Sequence, residues 1–232
     1  MTLDYSFICS CFHLSGTTAA ALVLLEWICW TDGWSKKFSK PDIKALYYDG
    51  VIANLKHYLV IGPVAYALAL GFIVYFVEPW SPWISFPGTI ITQGIGYAKA
   101  HRFMHQRQNY WMHKYHHQYH EKSFVRPIAA NAVTLAEFCM AYASPLVVGA
   151  FLFRPDASAL YWISVTVSLT NLLIHTPTNL LPMARYLPAF IVTNEKHFHH
   201  HEKNQKRFYS APLLDFDRFL GLCEDAPEGK SG

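Results

Sequence analysis

The chain contains 232 residues, of which 52% are hydrophobic, 16% aromatic and only 15% charged. Soluble domains usually carry about a quarter charged residues, and this apolar content excludes a disordered or linker-like chain. The net charge of +3 is too small to indicate nucleic-acid binding, whereas the count of 13 histidines is unusually high.

Long stretches almost free of charged residues predict membrane-spanning helices. A span needs about 20 apolar residues, because roughly 30 Å of hydrocarbon is crossed at about 1.5 Å per residue. In chain order, the predicted spans are 14–30, 57–77, 84–98, 128–152 and 157–175. The second fits best, and the first and third fit least. The expected fold class is therefore an all-α integral membrane bundle of four to five spans, and a soluble protein with buried helices is the alternative.

The basic residues lie almost entirely on one side of these spans. Eighteen of the 19 Lys and Arg residues fall in 31–56, 99–127 and 176–232, and only Arg154 falls in an opposite connection. The positive-inside rule therefore predicts that the three basic regions face the cytoplasm. The expected organisation is an N-terminal span and basic loop (1–56), a membrane domain (57–222) and a flexible tail (223–232).

Three groups of histidines carry the spacing of metal ligands on helices. The groups are HRFMH at 101–105, HKYHH at 113–117 and HFHHH at 197–201. Positions i, i+3 and i+4 share a helix face, which predicts one face of imidazoles per group; His199 points away and His120 is ambiguous. Neutral imidazole suits zinc, iron, copper or nickel. Eight histidines exceed what one metal takes, so two metals are predicted; the alternative is a set of solvated surface histidines.

The three groups match the HxxxH, HxxHH and HxxHH boxes of the fatty acid hydroxylase superfamily, which includes sterol desaturases, methylsterol oxidases and sphingoid-base hydroxylases. The segment HTPTNLLP at 175–182 resembles the family's HxN-type segment. The segment FYSAPLLDFDRFLGL at 208–222 is similar to its closing signature, and RPIAANAVTLAE at 126–137 resembles the segment that carries a glutamate after the second box. The resemblance covers roughly residues 60–222.

The resemblance implies a cytosolic, histidine-rich dimetal cap that holds two iron ions and uses O2 to oxidise an unactivated lipid C–H bond. It gives the ligand role to nine histidines: His101, His105, His113, His116, His117, His175, His197, His200 and His201. Asn179 stands where some members place another histidine. Departures from the family pattern are Phe216 for Trp, Ser210 for Gly and Thr134 for His. Because metal-bound imidazoles usually donate their second N–H to a carboxylate or carbonyl, Glu137, Asp215 and Asp217 are candidate supporting groups.

The oxidation needs two electrons from outside the chain, which carries no HPGG-type haem motif and no GxGxxG fingerprint. We therefore expect a separate electron-donor protein of haem or iron–sulfur type, docking on the basic cytoplasmic face through Lys203, Lys206 and Arg207. The alternative is that these cations contact anionic lipid headgroups. The expected location is the endoplasmic reticulum in a eukaryote or the inner membrane in a bacterium.

Other function classes fit the histidine pattern less well. A metal-ion transporter or zinc-binding membrane protein would place ligands near the middle of its spans, whereas most histidines here lie in the flanking basic regions. A zinc hydrolase needs three ligands and a general base, and a family member acting only as a binding subunit would not need intact boxes. The sequence is compatible with sterol, fatty acyl, sphingoid and carotenoid substrates. It is also compatible with either hydroxylation or desaturation as the reaction.

Overall fold

The computed structural model describes residues 5–30, 32–67, 71–120, 125–203 and 207–222, with the backbone alone described at 5, 6, 32, 33 and 203. Within these ranges the regular structure consists of α-helices and short 3-10 and π turns, with one isolated antiparallel bridge between Ile191 and Leu214. The predicted all-α class is therefore confirmed. The tail predicted at 223–232 lies outside the described residues.

The first half of the chain forms one long helix and several shorter ones. Helix α1 covers Tyr5–Ile28, α2 covers Asp32–Phe38 and α3 covers Pro41–Lys56. Pro41 suits the first turn of α3, where its missing N–H would have no partner in the helix. A π turn at His57–Ile61 continues into α4 (Gly62–Ala65), and α5 covers Gly71–Phe76.

The second half holds the helices that surround the histidines. Helix α6 covers Pro82–Met104. Helix α7 (Leu135–Glu137) runs through a π segment (Phe138–Ala143) into α8 (Ser144–Phe153). Helix α9 covers Ala157–Ile174 and α10 covers Asn194–Lys203. Asp156 caps α9, because its carboxylate accepts from the Ala159 N–H at 2.7 Å.

Among the residues that the structure describes, three helical stretches are long and apolar enough to cross a membrane: Phe7–Ile28, Leu135–Phe153 and Ala157–Ile174. They overlap the first, fourth and fifth predicted spans. The predicted span 57–77 is divided among shorter elements, and its residues 68–70 lie outside the described part. The predicted span 84–98 lies inside α6, which buries polar side chains such as Gln93. The total of four to five spans and the cytoplasmic orientation stay predictions.

Helices α6 and α8 pack closely because glycines face the neighbouring helix. A Cβ atom added at Gly88 would lie 2.2 Å from the Phe153 ring, and one added at Gly96 would lie 2.6 Å from Pro145 Cβ. Small residues allow such close approach of helix backbones in membrane bundles. The packing holds the end of α6, which carries the first histidines, against the helical stretch that contains Glu137.

A buried ion pair ties α1 to the 3-10 turn Pro127–Asn131. The Arg126 guanidinium donates to the Glu26 carboxylate at 2.7 and 3.0 Å and to the Cys29 carbonyl at 2.9 Å. Glu26 also accepts from the Ile128 N–H at 2.7 Å, and the Arg126 guanidinium lies 4.2 Å from the centre of the Trp34 ring. The pair fixes the position of the turn that follows it.

Candidate metal centre

Nine buried or half-buried histidines from four chain segments meet in two groups. Within each group, every residue offers one nitrogen within 4.8 Å of all the others. The first group has five members: His101, His105, His113, His117 and His200. The second group has four members: His116, His175, His197 and His201. The structure thus brings together all nine histidines to which the family resemblance gives the ligand role.

Helices present the first and last histidine boxes. His101 lies in the last turn of α6, and His105 is the residue that caps this helix. Helix α10 carries the adjacent residues His200 and His201, and the planes of their two rings are at 90° to each other. Because successive helical residues differ by about 100° around the axis, His200 joins the first group while His201 joins the second. Helix α10 therefore contributes to both groups at once.

The middle histidine box is not helical. His113 directly follows the 3-10 turn Tyr110–Met112, and His116 and His117 lie in the 3-10 turn His116–Gln118. The His117 N–H bonds to the His113 carbonyl at 3.3 Å, which keeps these two residues in one group while His116 turns to the other. The prediction that each box presents one face is therefore right for 101–105 and wrong for 113–117 and 197–201, each of which divides between the groups.

The distances between ring nitrogens fit the ligand set of a metal ion. His101 Nε2 lies 2.8 Å from His113 Nε2, and His105 Nε2 lies 2.9 Å from His200 Nε2. In the second group, His197 Nε2 lies 2.9 Å from His175 Nε2. Two nitrogens bound at about 2.0–2.1 Å to one metal, at right angles, are about 3.0 Å apart. The spacing is therefore what two ligands of one ion require.

Hydrogen bonds on the far side of the rings fix which nitrogen carries the proton. The Nδ1–H groups of His101, His175 and His200 donate to the backbone carbonyls of Tyr209, Asn171 and Arg207, at 2.7–2.8 Å. A carbonyl can only accept, so each neutral ring keeps its Nε2 lone pair for the group interior. Lone pairs at these short separations repel each other unless a cation lies between them. The donor chemistry therefore fits a metal.

Burial keeps these imidazoles neutral, which is the form that binds metal. Burial, followed by the charge of His200, lowers the pKa of His105 to about 3. Burial and the neighbouring histidines lower the pKa of six others well below the usual range: His101, His113, His116, His117, His197 and His201. At neutral pH these rings carry no proton that a metal would have to displace.

Glu137 lies where a supporting carboxylate is expected. It is fully buried, and its Oε1 atom lies 2.7 Å from His113 Nδ1. The Thr134 hydroxyl accepts from the Glu137 N–H at 3.1 Å and donates to the Met112 carbonyl at 2.7 Å. Thr134, which departs from the family pattern, therefore joins the start of α7 to the residue before His113.

The other candidate supporting residues lie differently. Asp217 is buried and accepts from the Ser210 hydroxyl at 2.7 Å, which stabilises the loop that brings the Tyr209 carbonyl to His101. Burial raises the pKa of Asp217. Asp215 pairs with Lys196 at 2.6 Å. Asn179 is exposed and does not share the burial of the nine histidines.

The remaining histidines stay outside both groups. His199 is exposed on α10, His120 is half-buried, and His13 bonds to the Tyr161 hydroxyl at 2.8 Å. His57 is buried against Phe138. Sequence reasoning missed the three carbonyls that orient His101, His175 and His200, because a backbone acceptor leaves no signal in the residue type.

The three apolar helices among the described residues indicate a membrane-type protein. The two buried histidine groups form its candidate dimetal centre. The model of the fatty acid hydroxylase family matches residues 85–222, which is more than half of the chain and includes all nine histidines. The chain belongs to this family, and membership indicates a metal-dependent oxygenase-type enzyme. No curated protein and no solved structure matches the chain.

Proposed function

We propose that this protein is a membrane-bound, O2-dependent diiron oxidoreductase that hydroxylates or desaturates a C–H bond of a lipid. The observation that carries the proposal is the pair of adjoining groups of five and four histidines, neutral and largely buried, inside the segment that the family model matches. Three apolar helices in the described part of the chain support a lipid substrate, of sterol, fatty acyl or sphingoid class.

The chemistry explains why the chain would need metals. A lipid C–H bond offers no acidic proton and no leaving group, so side chains alone cannot attack it and a redox centre must carry the reaction. Two iron ions, held by the five and the four histidines, would supply O2 activation and the oxidation of the C–H bond. Imidazole is a suitable ligand for iron.

The chain's own residues would keep this centre ordered and dry. Glu137 and the three carbonyls hold the Nδ1 protons and so direct each Nε2 inward. Buried apolar side chains close to histidine ligands in the chain form one cluster that would help to exclude water: Tyr97, Met104, Met112 and Ile174. Excluding water protects a reactive centre from side reactions.

Electrons would come from a separate haem or iron–sulfur protein docking on the basic face. The proposed contact consists of Lys203, Lys206 and Arg207; the side chains of the two lysines lie outside the described residues. Changing all three to Glu should slow turnover with the reduced donor while leaving the metal content unchanged. Unchanged turnover would reject this docking face and leave the alternative of contacts with anionic lipids.

The experiment that tests the function combines metal analysis with lipid turnover. The purified protein is incubated with membrane lipids, O2 and a reductant, and the products are identified by mass spectrometry. We expect oxidised lipid from the wild type and from His199→Ala, the exposed control on the same helix, and none from His197→Ala. Product formation without iron or without O2 would contradict the proposal, and bound zinc without lipid oxidation would favour the zinc-binding alternative.

The lipid itself can be identified in cells. Comparison of total lipids from cells with and without the protein should show one class that gains a hydroxyl group or a double bond only when the protein is present. The same comparison with His197→Ala in place of the wild type serves as the control for indirect effects of expression.

A further inference from the structure

A cavity of about 380 Å³ lies between α1, α3 and the turn Pro127–Asn131. Its lining is mostly apolar and aromatic and includes Leu22, Val23, Trp27, Val51, Leu55 and Ile128. Except for Ile128, these residues precede the segment matched by the family model. The cavity is therefore a feature of this chain's N-terminal part and not of the histidine centre.

The rim of the cavity is apolar and exposed. Val23, Trp27 and Leu55 line it and are 69%, 74% and 52% exposed. Helix α1, which carries Val23 and Trp27, is one of the three stretches long enough to cross a membrane. In a bilayer the entrance would face lipid, so the molecules that reach it are those dissolved in the membrane.

The polar groups in the wall are paired within the protein. The Glu26 carboxylate is neutralised by Arg126. Asn54 Nδ2 donates to the carbonyls of Gly50 and Ile128 at 2.9 and 2.7 Å, and its oxygen accepts from Asn131 at 3.2 Å. The Tyr58 hydroxyl accepts from Asn131 at 2.7 Å. A wall whose charge and amide are already paired favours an uncharged, apolar ligand.

We propose that this cavity binds one hydrocarbon chain of a membrane lipid, at a site separate from the metal centre. An apolar cavity of roughly 150 Å³ is enough to bind benzene, and this one is larger. The turn Pro127–Asn131 forms the wall towards the histidines, and its Ala129 and Ala130 are fully buried. A chain in the cavity therefore lies against the turn and does not reach the metal ligands.

The turn connects the cavity to the second histidine group. Asn171 Nδ2 donates to the Ala130 carbonyl at 3.1 Å, and the Asn171 carbonyl accepts from His175 Nδ1 at 2.7 Å. A lipid chain packed on Ile128 stabilises the turn and, through Asn171, the orientation of His175. We therefore expect the bound lipid to raise the thermal stability of the protein.

The test compares two neighbouring phenylalanine substitutions on α3. Val51→Phe fills the cavity, whereas Ile52→Phe adds the same ring at the next residue, which is 50% exposed and does not line the cavity. The proteins are purified in mild detergent, delipidated, and given palmitoyl-oleoyl phosphatidylcholine. Native mass spectrometry should show one retained lipid per chain for the wild type and Ile52→Phe, and about ten-fold lower occupancy for Val51→Phe, because its ring takes the place of the buried chain.

A second substitution fills the cavity from α1, the helix opposite α3. Ala19→Leu on α1 should lower lipid retention in the same way, and circular dichroism shows that each variant has kept its helices. Added phosphatidylcholine should raise the midpoint of thermal unfolding of the wild type and of Ile52→Phe, but not that of Val51→Phe. Equal lipid retention by all variants, or no retention by the wild type, would overturn the proposal.

Discussion

His200 and His199 are adjacent on α10, but only His200 belongs to a histidine group. Because its Nδ1 bonds to the Arg207 carbonyl and its Nε2 lies 2.9 Å from His105 Nε2, His200→Ala should remove one ligand of the first metal. We expect the first metal to be bound more weakly, by four histidines in place of five, so that a chelator removes it from His200→Ala at a concentration that leaves both ions in the wild type.

The matched control for this prediction is His199→Ala, which removes an exposed imidazole from the same helix. Elemental analysis of both purified variants measures the outcome. Equal metal content in His199→Ala and His200→Ala after the same chelator treatment would show that His200 is not a ligand of the first metal.

A substitution of Glu137 tests how much the groups that orient the histidines contribute to metal affinity. Glu137→Gln keeps the size of the side chain but replaces the carboxyl group, whose Oε1 atom lies 2.7 Å from His113 Nδ1, by an amide. Loss of such a partner typically lowers metal affinity about 10–100-fold. We expect a shift of this size in a competition titration with a chelator.

Glu195→Gln provides the control for the Glu137 substitution. Glu195 lies on α10 and accepts from the Ala184 N–H at 3.0 Å, but it belongs to neither histidine group. Its substitution should leave the metal affinity unchanged. An affinity for Glu137→Gln equal to that of the wild type would mean that His113 is oriented without this carboxylate.

At the scale of single residues, the sequence identifies the histidines that the structure brings together, but few of the groups that orient them. The boxes at 101–105, 113–117 and 197–201 are recognisable because their spacings are short and specific. Glu137 was found through the same resemblance. Tyr209, Asn171 and Arg207 were not, because each contributes a backbone carbonyl whose position depends on the folded loop.

At the scale of elements, the buried pair between Glu26 and Arg126 joins α1 to the turn Pro127–Asn131. Glu26→Gln leaves the Arg126 guanidinium buried without its counter-charge, and breaking a buried pair in this way destabilises a protein by about 3–5 kcal/mol. We expect a clear decrease in the midpoint of thermal unfolding, measured in detergent.

A double substitution separates the charge from the packing. Glu26→Leu with Arg126→Met replaces the pair by apolar groups, so the double variant should be destabilised less than the sum of the two single changes. Strict additivity would show that the two side chains do not depend on each other.

The division of two boxes between the metal groups could not be predicted from their spacing. The i, i+3, i+4 rule assumes one α-helix facing one partner, whereas 113–117 joins a turn to the 3-10 turn His116–Gln118. Helix α10 is regular but lies between the two groups, so neighbouring residues belong to different histidine groups. Packing of α10 against the rest of the bundle, which involves residues distant in sequence, decides this arrangement.

At the scale of the whole molecule, burial of so many neutral histidines makes the metal-free protein sensitive to acid. The pKa of His105 falls from its usual value to about 3 in the folded state. Between pH 6.5 and 3 the unfolded chain therefore binds more protons, and stability falls as the pH falls. The effect is on the order of 1 kcal/mol per pH unit for each such histidine.

This pH dependence is measurable as the midpoint of thermal unfolding of the metal-free protein between pH 7 and pH 5. The midpoint should fall steadily over this range, and His105→Gln should reduce the slope while the exposed control His199→Gln should not. A midpoint independent of pH would contradict the burial of neutral imidazoles.

The global organisation follows from the sequence only in part. The stretches Phe7–Ile28, Leu135–Phe153 and Ala157–Ile174 overlap three predicted spans, although the first is longer and the second is shorter than predicted. In 57–77, π geometry and short helices replace one long helix, and α6 buries polar residues such as Gln93 that lower its hydropathy. Hydropathy reports composition along the chain, and it does not report which residues face another helix.

The central claim is that the nine histidines hold two iron ions. Elemental analysis of protein purified without added metal and without oxidising conditions measures this most directly. We expect about two irons per chain in the wild type and a loss of iron in His197→Ala, which leaves three histidines in its group, but not in His199→Ala. A wild-type protein that binds zinc alone, or no more than one metal ion per chain, would contradict it.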